Sequence, residues 1–265
     1  KMSRQINIDN LMASDLPSSQ QNNNLIPVIQ LENITHIFNP GLPNEYKLFE
    51  NFNLTIPDIP GQAQLVSIMG ASGCGKSQML KVIAGLSKFN EGVVKVYGEP
   101  VSSNHSFPMV FQTYSNFEWY TVLENVMIPM TCRGISEEEA RNRALELLDC
   151  VGLKDHVDKY PSRLSGGQQQ RVAIARCLAC NSKIILFDEA TGALDIKMKR
   201  EVQNIMLKIF YDPSLDDPTI INVSHSIEEV AYISNKVFIL QANPCRVFKE
   251  VDIHYPGEET RQRGE

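Results

Sequence analysis

Leu65-Val66-Ser67-Ile68-Met69-Gly70-Ala71-Ser72-Gly73-Cys74-Gly75-Lys76-Ser77 decides the fold. Its first five residues form a short, mostly apolar run, as a buried strand does. The run passes straight into Gly70, and from Lys76 to Leu86 the apolar spacing becomes helical, with Gly85 near its end. Gly70, Ala71, Ser72, Gly73, Cys74, Gly75, Lys76 and Ser77 fit the spacing G-x-x-x-x-G-K-[ST]. Glycines there let backbone amides wrap phosphate oxygens. Lys76 would reach the β and γ phosphates, and the Ser77 hydroxyl would bind Mg²⁺.

Two further stretches extend that chemistry. Ile184-Ile185-Leu186-Phe187-Asp188-Glu189 is an apolar strand ending in two carboxylates. A buried strand would carry Asp188 to the carboxyl edge of the sheet, where it can hold Mg²⁺ directly or through water. Glu189 would be free to polarise an attacking water. Leu164-Ser165-Gly166-Gly167-Gln168-Gln169-Gln170-Arg171 is a second glycine-bearing helix start. Bare amides and a hydroxyl at a helix N-terminus suit an anion. One nucleotide has no evident need of both loops.

The rest of the chain alternates strands with helices. Strands are predicted at Val28 to Phe38, Phe49 to Ile56, Val93 to Gly98, Thr219 to Val223 and Val237 to Leu240. Helices are predicted at Ser136 to Leu148, with an N-cap serine and glutamates in the first turn, and at Gly166 to Cys180, Lys197 to Ile209 and Ile227 to Ile233. This is an α/β chain with a largely parallel sheet. Segment 113–162 reads as a helical insert, residues 1–26 as a polar tail, 27–255 as the folded domain and 256–265 as a second tail.

Composition bounds the possibilities. Apolar residues make up 43% and charged residues 21%, ordinary for a globular protein. A net charge of -6 argues against nucleic acid as the main partner. No apolar run approaches the roughly 20 residues of a membrane-spanning helix. Of six cysteines, Cys177 and Cys180 form a lone C-x-x-C. With no second pair, ordinary helix packing explains it better than a metal.

Together these motifs resemble the nucleotide-binding subunit of ATP-binding cassette (ABC) transporters, over about residues 28–255. The resemblance implies a P-loop core of RecA type, a small antiparallel β subdomain and an α-helical subdomain. It implies ATP and Mg²⁺ as ligands. By the same resemblance, Gln112 senses Mg²⁺ and the membrane partner, His225 contacts the γ phosphate, and Asp195 belongs to a loop that communicates across a dimer. Phe38 stacks on adenine, with Tyr46 as the alternative. Gln78 stands where the family has threonine, next to the metal-binding Ser77.

In this family two subunits pack head to tail. Ser165, Gly166, Gly167 and Gln168 of one copy would then face the phosphate loop of the other. Partners implied are a second copy or a homologous ATPase subunit, transmembrane permease subunits and, through them, an extracytoplasmic solute-binding protein. The chain would sit at the cytoplasmic face of the cell membrane. Phe117-Glu118-Trp119-Tyr120-Thr121-Val122-Leu123-Glu124-Asn125-Val126 resembles importers of nitrate, sulfonate and taurine. Stretch 114–120 fits either core packing or a groove for a permease helix.

Two rival readings remain. One is a cassette ATPase without a permease, such as a translation or DNA-repair factor. Lys76 and Ser165 are only 89 positions apart, too close for the coiled coil of repair members. The other is a non-hydrolysing regulatory subunit, which the presence of Lys76, Glu189 and His225 disfavours.

Overall fold

The computed structural model describes residues 25–101, 107–242 and 244–253. The tail expected over 1–26 lies almost wholly outside them, and that over 256–265 entirely so.

Two sheets organise the molecule. The larger has six strands in the order β10-β9-β3-β8-β7-β6. At its centre lie β3 (Gln64–Gly70), β8 (Thr219–Val223) and β7 (Ile184–Asp188), paired in parallel. β6 (Met109–Val110) and β9 (Lys236–Gln241) extend it in parallel, and β10 (Arg246–Asp252) closes one edge antiparallel. All residues of β7 and β8 are buried, which is why both are mostly apolar, with Asp188 ending β7 and Thr219 and Asn222 as buried polar residues of β8.

Side chains alternate between the faces of this sheet. Leu65, Ile185, Phe187 and Ile220 join one core, with α2 (Val122–Thr131), α3 (Glu137–Cys150), α4 (Gly166–Leu178) and α5 (Ile196–Phe210). Val66, Ile184, Leu186 and Ile221 join the other. That second core contains α1 (Lys76–Ile83) and a four-stranded antiparallel sheet in the order β2-β1-β4-β5. Its strands are β1 (Ile29–Phe38), β2 (Tyr46–Ile56), β4 (Glu91–Val96) and β5 (Glu99–Pro100). α6 (Ile227–Ile233) follows β8.

Several boundaries differ from the sequence expectation. β4 stops at Val96, because Tyr97 (φ 47°) and Gly98 (φ 79°) are both left-handed and make the hairpin to β5. α1 ends at Ile83 rather than Leu86, with Gly85 at φ 74° just beyond the cap. The insert contains a helix not predicted, α2, opened by a Thr121/Glu124 capping box. α4 packs against both α2 and α3, so the helical layer extends past residue 162.

Candidate functional site

The phosphate loop leaves the central strand β3 and enters α1. Gly73 (φ 80°) and Gly75 (φ 104°) hold left-handed backbone. A Cβ on Gly75 would meet the Phe49 ring at 2.9 Å. Glycine is therefore required there on two grounds, conformation and space. Lys76 is 5% exposed and its Nζ donates to the carbonyls of Gly70 (2.9 Å) and Ala71 (3.0 Å). Ser77 Oγ donates to Asp188 Oδ1 at 2.6 Å. Asp188 thus arrives from β7 beside the loop, as the buried strand predicts. Burial pushes its carboxyl above the usual range, against the Ser77 hydrogen bond that pulls it down.

Glu189 follows at φ 46°, a conformation that turns it off the strand line. Its amide donates to Val223 O at 3.0 Å, and Gly192 N closes the turn onto Glu189 O at 2.8 Å. Its carboxylate lies 4.0 Å from Lys76 Nζ and 3.4 Å from His225 Nδ1. His225 is exposed and follows directly on β8 and Ser224. Gln112, one residue past Phe111 at the end of β6, brings its side-chain amide towards Gly192: a Cβ there would lie 3.5 Å from Gln112 Nε2. Lys76, Ser77, Asp188, Glu189, His225 and Gln112 therefore converge on the carboxyl edge of one sheet, where nucleotide sites of open α/β sheets form.

Phe38 and Tyr46 face each other at the turn end of the β1–β2 hairpin, 40% and 45% exposed. The Phe38 ring meets His36 edge-on at 4.6 Å. The side chain of Gln78 engages His36 (3.1 Å) and Ser87 (2.6 Å), away from the phosphate loop.

The second glycine loop is built differently. Ser165 caps α4: its Oγ accepts from Gln168 N (3.3 Å), and Gln168 Oε1 accepts from Ser165 N (3.0 Å). This reciprocal pair leaves the amides of Gly166 and Gly167, at the first two helical positions, for an incoming group. The Tyr114 hydroxyl lies against Gly166, and Met198 packs on Gly167. Asp195 caps α5 through Met198 N at 2.9 Å. Among the described residues, no hydrogen bond or ion pair joins Ser165 to Gln168, or Asp195, to the phosphate loop of the same chain.

An aromatic cluster flanks α2. Phe117, Trp119 and Tyr120 have ring centroids 5.5 to 6.2 Å apart, and Trp119 is 70% exposed. Asn125 shapes this loop, a role sequence reasoning missed. It is fully buried; its Nδ2 donates to the carbonyls of Phe117, Tyr120 and Thr121, and its Oδ1 accepts from Phe117 N. Arg176 of α4 donates to Ser115 Oγ (2.8 Å) and lies over the Phe117 ring. Beside the cluster, Tyr120, Met127, Ile128 and Ile135 line an open cavity of about 420 Å³ rimmed by Glu124 and Glu137.

Cys177 is buried, and desolvation pushes its thiol up to about 12. Among the described residues no group of three His, Cys, Asp or Glu side chains could hold a metal.

A glycine loop between a central parallel strand and a helix, with an acidic strand end hydrogen-bonded to its serine, defines a P-loop nucleoside triphosphatase. The family profile described as ABC transporter matches residues 49–192. The nitrate import ATP-binding protein NrtD of Synechocystis sp. is 35% identical over 87% of this chain and 84% of its own length. The taurine import ATP-binding protein TauB of Jannaschia sp. is 37% identical over 74% of this chain and 73% of its own. Among solved structures, the ATP-binding cassette MJ0796, dimeric in a post-hydrolysis state bound to ADP and Pi, superposes with a TM-score of 0.72. It is 33% identical, over 86% of this chain and 99% of that one. The chain belongs to the ABC transporter family and is an ATPase that uses ATP and Mg²⁺. The residues fit those ligands: Ser77 Oγ and Asp188 Oδ1 are a hard-oxygen pair already in contact, and the left-handed glycines leave room for phosphate against the amides.

Proposed function

We propose that this chain is the nucleotide-binding subunit of an importer for a small solute of the nitrate, sulfonate or taurine kind. Two copies close head to tail on two ATP molecules. Gly70 to Ser77, with Gln78 through its backbone, cradle the phosphates; Ser77 and Asp188, with Gln112 beside them, hold Mg²⁺. Bound Mg²⁺ supplies charge neutralisation on the β and γ oxygens. Glu189 orients and polarises the attacking water, and His225, 3.4 Å from its carboxylate, steadies the γ phosphate. Phe38 offers a face to adenine. Ser165, Gly166, Gly167, Gln168 and Asp195 act from the partner copy. The folded unit spans 27–255, with its helical subdomain beginning near 113.

The observation that carries the importer reading is the aromatic cluster of half-buried Phe117 with exposed Trp119 and Tyr120, beside the apolar, acid-rimmed cavity along α2. A short amphipathic helix with basic ends fits such a groove. The identity to nitrate and taurine import subunits supports the same reading. Among the described residues no helix is long and apolar enough to cross a membrane, so a membrane position would come through permease subunits. The test is Trp119→Ala in the assembled transporter. Transport should fall while ATPase of the chain alone is kept; undiminished transport rejects the groove.

A further inference from the structure

Beneath the catalytic loop lies a buried polar network that no step above uses. Glu229, in α6, is 3% exposed. Its Oε2 accepts from Thr191 Oγ1 and from Gln203 Nε2 (3.5 Å), and its Oε1 from Asn222 Nδ2 (3.1 Å). Asn222 Nδ2 also approaches Ser67 Oγ (3.5 Å), which accepts from Ser234 Oγ at 2.5 Å. All five partners are buried. A buried carboxylate is costly unless donors meet it, and here both oxygens are met.

The position of these groups matters more than their number. Thr191 sits two residues after Glu189, inside the turn that Gly192 N closes on Glu189 O. Glu229 sits four residues after His225, on the helix capped by Ser226, whose Oγ accepts from Glu229 N at 3.3 Å. Asn222 belongs to β8, Ser67 to the strand feeding the phosphate loop, and Gln203 to the helix that Asp195 caps. Sequence S-x-x-E at Ser226 to Glu229 has the form of a capping box. Only its serine half forms, because the glutamate turns inward to Thr191 and Asn222.

We propose that Glu229 is a positioning residue for ATP hydrolysis: through Thr191 it fixes the Glu189 turn against α6, which starts just after His225, setting the separation of the two side chains at the γ phosphate. This rests on the roles given above to Glu189 and His225. A misplacement of a reacting group by about an ångström costs up to about a hundredfold in rate. The partner residues Gln203 and Asn222 hold the carboxylate; Thr191 transmits its position.

The test is steady-state ATPase of the full chain with Thr191→Val, which keeps shape and removes the hydroxyl, Thr191→Ser, which keeps it, and Glu229→Gln. Thr191→Val should lower kcat by about ten- to a hundredfold with KM for ATP within about twofold, in a protein that still folds cooperatively with a somewhat lower melting midpoint. Thr191→Ser should restore kcat. Thr191→Val combined with Glu229→Gln should be no slower than the slower single variant, because both break one link. A kcat within about twofold of wild type for Thr191→Val, an equal rise in KM, or additive losses would each overturn the proposal. Glu189→Gln serves as the control. If it keeps turnover, the underlying role of Glu189 fails; if it is inactive while Thr191→Val is fully active, only the positioning role fails.

Discussion

The two glycine loops of this chain differ in what surrounds them. The phosphate loop is walled by its own molecule: Cys74, Lys76 and Asp188 are buried, and Phe49 fills the space where a Gly75 side chain would go. The loop at Ser165 has its capping groups satisfied locally; Ser165 itself is exposed, while Gly167 is buried against Met198. Similar residue types thus make one loop joined to a lysine and an acidic strand end and, in the reading proposed above, one half-site. The difference lies in whether the sheet supplies a lysine and a metal-binding carboxylate beside the glycines. The second loop packs against Tyr114 and Met198 but, among the described residues, has neither of these bonded to it, which is the ground for proposing that it acts in trans.

The largest expected effect tests the complete site. Glu189→Gln should lower kcat by about a thousandfold while ATP binding persists, measured by single-turnover hydrolysis and nucleotide retention. Retained turnover would move the water-polarising role elsewhere. Next comes the half-site. Ser165→Asp keeps an N-cap residue but puts a negative charge where the partner's γ phosphate would approach. It should cost about a hundredfold in ATPase and leave ATP binding by the monomer unchanged, read by equilibrium titration. A loss of binding would mean that both loops hold one nucleotide.

A smaller effect follows from Asp188. Because burial raises its carboxyl, protons compete with Mg²⁺ there at a higher pH than at an exposed aspartate. The half-saturating Mg²⁺ concentration for ATPase should therefore rise as pH falls, sooner than the titration of ordinary carboxylates would bring about. The half-site carries no such group, so Ser165→Asp should leave the shape of that Mg²⁺ profile unaltered. Smallest is a chemical contrast. A thiol reagent should label exposed Cys132 readily, and buried Cys177 and Cys245, both pushed up to about 12, only on unfolding.

Much of the fold was legible because the central strands are buried on both faces. β3, β7 and β8 are mostly apolar, interrupted at Ser67 in β3 and Asn222 in β8, and each leads into the site. α2 was illegible: it is apolar almost throughout and contains Pro129, so neither period nor propensity marks it as helical. β10 was missed because it is a largely exposed edge strand that alternates charged residues with Phe248 and Val251. Within the site, the motif residues converge as their spacing predicts. The inward turn of Glu229 was hidden, because Glu228 beside it is exposed and the pair reads as a solvated first turn. The engagement of Gln78 by His36 and Ser87 was likewise invisible, since it joins segments 42 residues apart.

The central claim, that each working site combines one loop from each of two chains, is tested most directly by mixing two inactive variants. Lys76→Ala lacks a working phosphate loop and Ser165→Asp lacks a working signature loop. A mixed dimer of the two contains one site with both loops intact, whereas neither homodimer contains any. The account predicts that the mixture regains ATPase activity that neither variant has alone; a mixture as inactive as its components would contradict it.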